Sequence, residues 1–358
     1  MQARIHAGHE VDDATDKTGA VKIVRPAAAY EAVGDLWVVT SYFNPVGYRS
    51  RLRNYEVFRD RIVASRLPLL TVECAFGDDA FALPPSPQVV RVRSRHVMWQ
   101  KECLLNLAIS CLPAHCTKEA WVDANTLFEN PHWATETSRL LDRYPVVQPF
   151  DIAMRLLPGE YAPRADGDVW RGFAAAQSTD SESLRTGDYR RHGETGLAWA
   201  AQRAVLDDCG LYDACIIGGG DHVMAHAMCG DWGSVCIDRL IGRHTPQLAH
   251  MRRWGERMHA RVRGAIAFVP GAALHLWHGE REGRRYSARH RELAEFGFDP
   301  ERDLRRGESG CWEWASDKPE MHRWAAAYFA GRCEDGEAAA PIDGHAEPNS
   351  DRRFSYGR

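Results

Sequence analysis

Residues 35–123 alternate apolar, β-branched runs with a helical periodicity, and that order suits a mainly parallel sheet covered by helices on both faces. Residues 35–41 (DLWVVTS) form an apolar run that breaks at Asn44-Pro45, which predicts a buried strand and then a loop. Leu52, Tyr55, Phe58 and Ile62 follow at spacings of three, three and four, one face of a helix. Strands are expected at 70–76 (LTVECAF), 89–92 and 120–123, with a helix over 99–109 between the last two. The expected fold class is α/β: a mostly parallel mixed sheet flanked by helices, in one domain with a helical C-terminal part.

The 358 residues allow two domains by length, yet no repeat or linker divides the middle of the chain. Residues 1–33 and 334–358 read as mobile segments around a domain spanning 34–333, with its halves at 34–130 and 131–333. Lys+Arg 45 against Asp+Glu 49 gives a net charge of −4, which argues against a broad basic coat for nucleic acid. No apolar run approaches the roughly 20 residues that span a bilayer. The 10 cysteines form no CxxC pair and sit among apolar residues, as reduced core thiols do. A cytoplasmic protein is expected. The polar, aromatic-dotted stretch 158–188 reads either as a substrate lid or as a surface insertion.

Three constellations can carry chemistry. Asp123 and Asn125 stand one residue apart at a strand end, where extended backbone points both side chains the same way, toward one hard cation such as Mg²⁺ or Mn²⁺; a turn favours the same residues. Gly218-Gly219-Gly220-Asp221 permits close backbone approach and positive φ, with Asp221 as helix cap, catalytic carboxylate or both. In 274–279 (LHLWHG), His275 and His278 on a strand would face opposite sides. At most one can then join Asp123, and His278, at the break of the apolar run, is the expected ligand. Arg284 and Arg285 follow, with guanidinium forks suited to phosphate oxygens.

In this order the pieces resemble the metal-dependent glycosyltransferases of the GT-A fold. Asp123-Ala124-Asn125 matches the DxD motif with Asn in the second acidic position. Residues 192–199 (HGETGLAW) stand for the acceptor segment, and the stretch from Gly210 to Asp221 is similar to the glycine-rich stretch ending in an acid. A late His, here His278, closes the metal site. The resemblance implies a UDP- or GDP-linked sugar donor and Mn²⁺ or Mg²⁺ held by Asp123, Asn125 and His278. It implies donor binding by Thr40, Tyr42 and Asn44, with Lys101, Arg284 and Arg285 at the diphosphate. It also implies acceptor contacts at Gly196, Trp199, Gly219 and Gly220, and Asp221 as the base if the anomeric centre inverts; retention stays open. The acceptor could be a saccharide, a lipid-linked intermediate, a protein or a modified nucleobase. Two rivals remain. One is an inactive GT-A-like nucleotide-sugar or carbohydrate-binding module; the other is a sugar nucleotidyltransferase, for which SYFNPVGYR is a poor phosphate loop.

Overall fold

In the computed structural model the described residues are 35–286 and 288–336, so the expected N-terminal segment and most of the expected tail lie outside them. Seven strands form the main sheet in the order β10-β6-β9-β4-β1-β2-β3. They are β1 (Leu36–Phe43), β2 (Leu69–Phe76), β3 (Val89–Ser94), β4 (Lys118–Val122), β6 (Val146–Gln148), β9 (Ala198–Gln202) and β10 (Ile266–Phe268). Only β9 runs antiparallel to its neighbours, so the mixed, mostly parallel α/β architecture is the one expected.

Both faces of this sheet are covered, which is why β1 reads as a continuous apolar run. Along it, Trp37, Val39 and Phe43 enter one core while Leu36, Val38 and Tyr42 enter the other. On the second face lie α1 (Arg49–Ala64), through Tyr55, Phe58 and Ile62, and α3 (Trp133–Leu141). The first face carries α2 (Lys101–Cys111), α6 (Arg203–Cys209), α7 (Gly220–Met228), α9 (Pro246–Val262) and α12 (Pro319–Ala330). The short helices α4 (Phe173–Gln177), α5 (Tyr189–His192), α8 (Val235–Ile241), α10 (Ala288–Glu295) and α11 (Pro300–Asp303) complete the chain.

A second sheet, in the order β5-β11-β7-β8, stands where the first one opens. Its strands are β5 (Thr126–Phe128), β7 (Ile152–Arg155), β8 (Asp168–Arg171) and β11 (Ala272–His275); a hairpin of β12 (Leu304–Arg306) and β13 (Trp312–Trp314) lies apart. The stretch 158–188 supplies β8 and α4, so part of it is sheet and buried helix rather than a free lid or insertion. Antiparallel pairing places His275 opposite Thr126, the residue after Asn125. That register decides the contents of the site.

The glycine run before α7 has a steric reason. Gly218 and Gly219 take φ of +85° and +94°, and a Cβ on Gly219 would stand 3.0 Å from the His290 ring. Gly219→Ala is therefore expected to lower unfolding free energy by about 1–3 kcal/mol, read from urea denaturation. A change below about 0.5 kcal/mol would show that the turn relaxes freely.

Candidate active site

At the carboxyl ends of β1 and β4 a cavity of about 1290 Å³ opens between the two sheets, the place where open α/β sheets bind ligands. Ser41 to Phe43 and Asp123 to Asn125 form its sheet-end wall, and Gly193 to Leu197 with Gly218, Gly219 and Asp221 form another. Arg155, Arg281, Arg284, Arg289 and Arg332 also line it, and cationic side chains outnumber carboxylates there.

At one end, Lys101 opens α2 with its ammonium buried between two acids. Nζ lies 2.7 Å from Asp123 Oδ1 and 2.5 Å from Asp221 Oδ2. Burial opposes the charged amine, but Asp123, Asp221 and Glu102 together hold the Lys101 pKa above its ordinary value. Burial pushes Asp221 up to about 6 against the pull of Lys101. Glu102 is pushed up to about 8, chiefly by burial against the pull of Lys101. Asp221 is not a helix cap: Gly219 holds the N-cap position without a side-chain bond, and the Asp221 carboxylate turns to Lys101. Glu194 accepts from the Gly196 N–H at 3.0 Å, and an alanine Cβ at Gly196 would lie 3.8 Å from Asp221 Oδ2. The expected acceptor segment thus borders the candidate base.

At the other end, Asn125 Nδ2 lies 3.1 Å from His275 Nε2, which in turn lies 3.0 Å from His278 Nε2. The expectation that only one of these histidines reaches the site is corrected. The strand ends at His275, the Leu276 N–H bonds back to Asn125 O, and the turn that follows returns His278 to the same side. Burial, then Arg284, pushes His278 down to about 3, and burial with His278 and Arg284 holds His275 well below its ordinary range. Both rings are neutral, and two Nε2 atoms this close cannot both carry a proton. Arg284 Nη2 reaches His278 Nε2 at 2.9 Å.

Glu334, which the sequence places in the tail, is 1% exposed and lies behind this group. It accepts from Arg332 Nε at 2.5 Å and stands 3.6 Å from His278 Nδ1. Burial would raise its pKa, but Arg51 and Arg332 hold it well below the ordinary carboxylate range.

Of the remaining expected residues, Tyr42, Lys101, Arg284, Gly196 and Gly219 line the cavity, while five others do not. Thr40 is fully buried within β1 and donates to Val122 O at 2.7 Å. Asn44 closes a local turn on the Tyr48 backbone. Arg285 points to Glu292 at 2.5 Å. Trp199 is a core residue, 1% exposed, with its indole N–H donating to Thr195 O. Gly220 lies against Glu102, whose Oε1 would be 2.5 Å from an added Cβ, so it serves the α2–α7 contact rather than an acceptor. Glu194 in the lining belongs to the expected acceptor segment, whereas sequence reading missed Arg155, His275 and Arg332 there. Among these only His275 carried a signal, and an assumption of continuous strand removed it.

No protein-family profile matches the chain, and no curated protein matches it. Among solved structures it is similar to mannosyl-3-phosphoglycerate synthase from Rubrobacter xylanophilus, with 14% identity, a TM-score of 0.36, and coverage of 73% of this chain and 75% of that one. It is similar to 4-diphosphocytidyl-2C-methyl-D-erythritol synthase from Anaerococcus prevotii at 9% identity and TM-score 0.30, covering 82% and 95%. A third likeness, to mannose-1-phosphate geranyltransferase from Thermus thermophilus, has 10% identity and TM-score 0.26, covering 68% and 74%. Likenesses this distant carry nothing about activity, which has to be argued from the cavity itself.

Proposed function

We propose that the chain is a glycosyltransferase that moves a sugar from a UDP- or GDP-linked donor to an acceptor hydroxyl with a divalent cation. One observation carries the reading: a cavity in which cationic side chains outnumber carboxylates ends on a half-buried acid, Asp221, whose pKa of about 6 suits a base near neutrality. The arginines match a diphosphate in charge and in donor geometry. They also reconcile an anionic donor with a net charge of −4, because the positive charge is local.

In the proposed reaction the acceptor oxygen attacks the anomeric carbon as the bond to the diphosphate breaks. Asp221 takes the hydroxyl proton, and the leaving diphosphate departs toward Arg284, Arg289 and Arg332. With Asp221 as the base, the transfer would invert the anomeric centre. Tyr42 lines the nucleotide end and Gly196 leaves room beside Asp221 for the acceptor.

Among the described residues Asp123, His275 and His278 do not converge as a ready metal cluster, so a divalent cation there requires Asp123 to leave Lys101. Asn125 Oδ1 is buried without a hydrogen-bond partner among the described residues, and His275 and His278 beside it are neutral. Asn125, His278 and Asp123 would hold the ion with His275 added, Asp123 giving up Lys101 for it. Bound there, the cation supplies Lewis-acid charge neutralisation to the diphosphate. In a thermal-shift assay, UDP or GDP with Mn²⁺ is expected to raise the melting temperature, and Asp123→Ala or Asn125→Ala to remove the Mn²⁺-dependent part. A shift unchanged in both variants would overturn this ligand set.

A further inference from the structure

Next to Asp221, four side chains not used above converge. His222 and His226 lie one turn apart on α7 and project from the same face, with ring centroids 4.4 Å apart. His192, the last residue of α5, places its ring 5.1 and 5.2 Å from theirs. Cys236, in the first turn of α8, brings Sγ to 3.4 Å from His226 Nε2. One ligand atom from each of the four lies within 4.8 Å of all the others, and all four residues are buried.

Two further observations separate this group from ordinary core packing. Both ring nitrogens of His192 and Nε2 of His222 lack a hydrogen-bond partner among the described residues. Buried imidazole nitrogens are costly in that state, and four polar groups on three separate helices share it or border it. The second observation is the surroundings of His226. Its Nδ1 lies 2.6 Å from Asp231 Oδ2, and Asp231 is itself fixed by the backbone N–H groups of Gly233 and Ser234 at 3.2 and 3.0 Å. Nδ1 is thereby the protonated nitrogen, and Nε2 is left with its lone pair aimed at the group, the arrangement in which a carboxylate orients a metal-binding histidine.

We propose that His192, His222, His226 and Cys236 bind one structural zinc ion. Three imidazoles and a thiolate suit Zn²⁺ and are poorly suited to Mg²⁺ or Mn²⁺, which prefer oxygen. Four protein ligands complete a tetrahedral shell, so the ion has no open position for chemistry. Binding releases the Cys236 thiol proton to solvent and forms the zinc–sulfur bond, with no change of oxidation state. The ion ties together the end of α5, which leads into Gly193–Leu197, α7, which carries Asp221 in its first turn, and α8. It thereby fixes Gly193–Leu197 and Asp221 relative to one another in the same cavity wall, whatever reaction the cavity performs.

The test uses the full chain, purified without added metal, loaded with stoichiometric Zn²⁺ and dialysed. Elemental analysis is expected to give about one zinc per chain in the wild type and in Asp123→Ala, and almost none in Cys236→Ala or His226→Ala. Stripping the ion with a chelator is expected to lower the melting temperature by about 5 °C or more. Replacement by Co²⁺ in the wild type should give a thiolate-to-metal charge-transfer band with tetrahedral visible bands, a readout that needs no folded variant. A wild-type chain that retains no zinc, a Co²⁺ complex without the sulfur band, or variants that keep the full complement would each overturn the site. Loss of zinc binding leaves nucleotide binding in the cavity to be read separately, so the two proposals fail independently.

Discussion

Asp221→Asn is expected to lower kcat by about 10³-fold, the scale of a lost general base, while leaving donor affinity unchanged within error. The carboxylate is the acid best placed to take a proton in the cavity, and the amide keeps its shape but accepts no proton. The wild-type rate should also carry the signature of its titration. Burial raises Asp221 to about 6, and a base must be unprotonated to act, so activity should be full above that pH and fall as pH drops through it. The limb belongs to the linked group of Asp221, Asp123 and Lys101 rather than to one residue in isolation. A variant with most of the wild-type kcat, or a wild-type rate flat between about pH 5 and 7, would remove Asp221 from the base role.

Lys101→Met should produce the second large effect, on stability as well as on rate. Its ammonium, 8% exposed, is the cation shared by Asp123 and Asp221, and Glu102 lies close enough to feel it. Methionine fills much of the same volume but leaves the acids uncompensated. Removing one partner of a buried ion pair costs about 3–5 kcal/mol; with the two carboxylates still 28% and 18% exposed, water recovers part of that, and about 2–3 kcal/mol is expected. The same change removes the attraction that restrains Asp221, so the acid limb of the pH profile should move upward. Urea denaturation and a pH–rate series read the two effects. A loss below about 0.5 kcal/mol with an unmoved limb would mean that the triad is screened by solvent.

Local patterns reached β1, β2, β3 and β4 because each satisfies its own constraint; β6, β9 and β10 are not among the strands expected from the sequence. Residues 35–41 are apolar on both faces since β1 is covered on both, and Tyr55, Phe58 and Ile62 are buried as their spacing requires. Asp123 and Asn125 were legible for the same reason: the strand end and the polar pair are adjacent in the chain. The rest of the site depends on pairings between distant segments. His275 meets Asn125 through the β5–β11 register, and Glu334 reaches His278 from beyond the end of α12.

Burial, likewise invisible to spacing, took Thr40 and Trp199 wholly into the core, while Tyr42, also buried, still borders the cavity. The zinc candidate was half legible. His222 and His226 stand at i and i+4 in 220–228 (GDHVMAHAM), a spacing that puts both on one helix face. Their partners His192 and Cys236 come from separate helices, and nothing in the sequence brings them near.

The central claim is that this cavity transfers sugar from a nucleotide donor, and the released nucleotide tests it most directly. Full-length chain would be incubated with UDP- and GDP-sugars, Mn²⁺ and a mixture of candidate acceptors, and the products separated by ion-exchange chromatography. The expected result is a nucleoside diphosphate released from at least one donor, dependent on Mn²⁺ and abolished in Asp221→Asn. Sugar nucleotidyltransfer would instead consume a nucleoside triphosphate and release pyrophosphate. That product, or no turnover and no binding of any donor, would contradict the account.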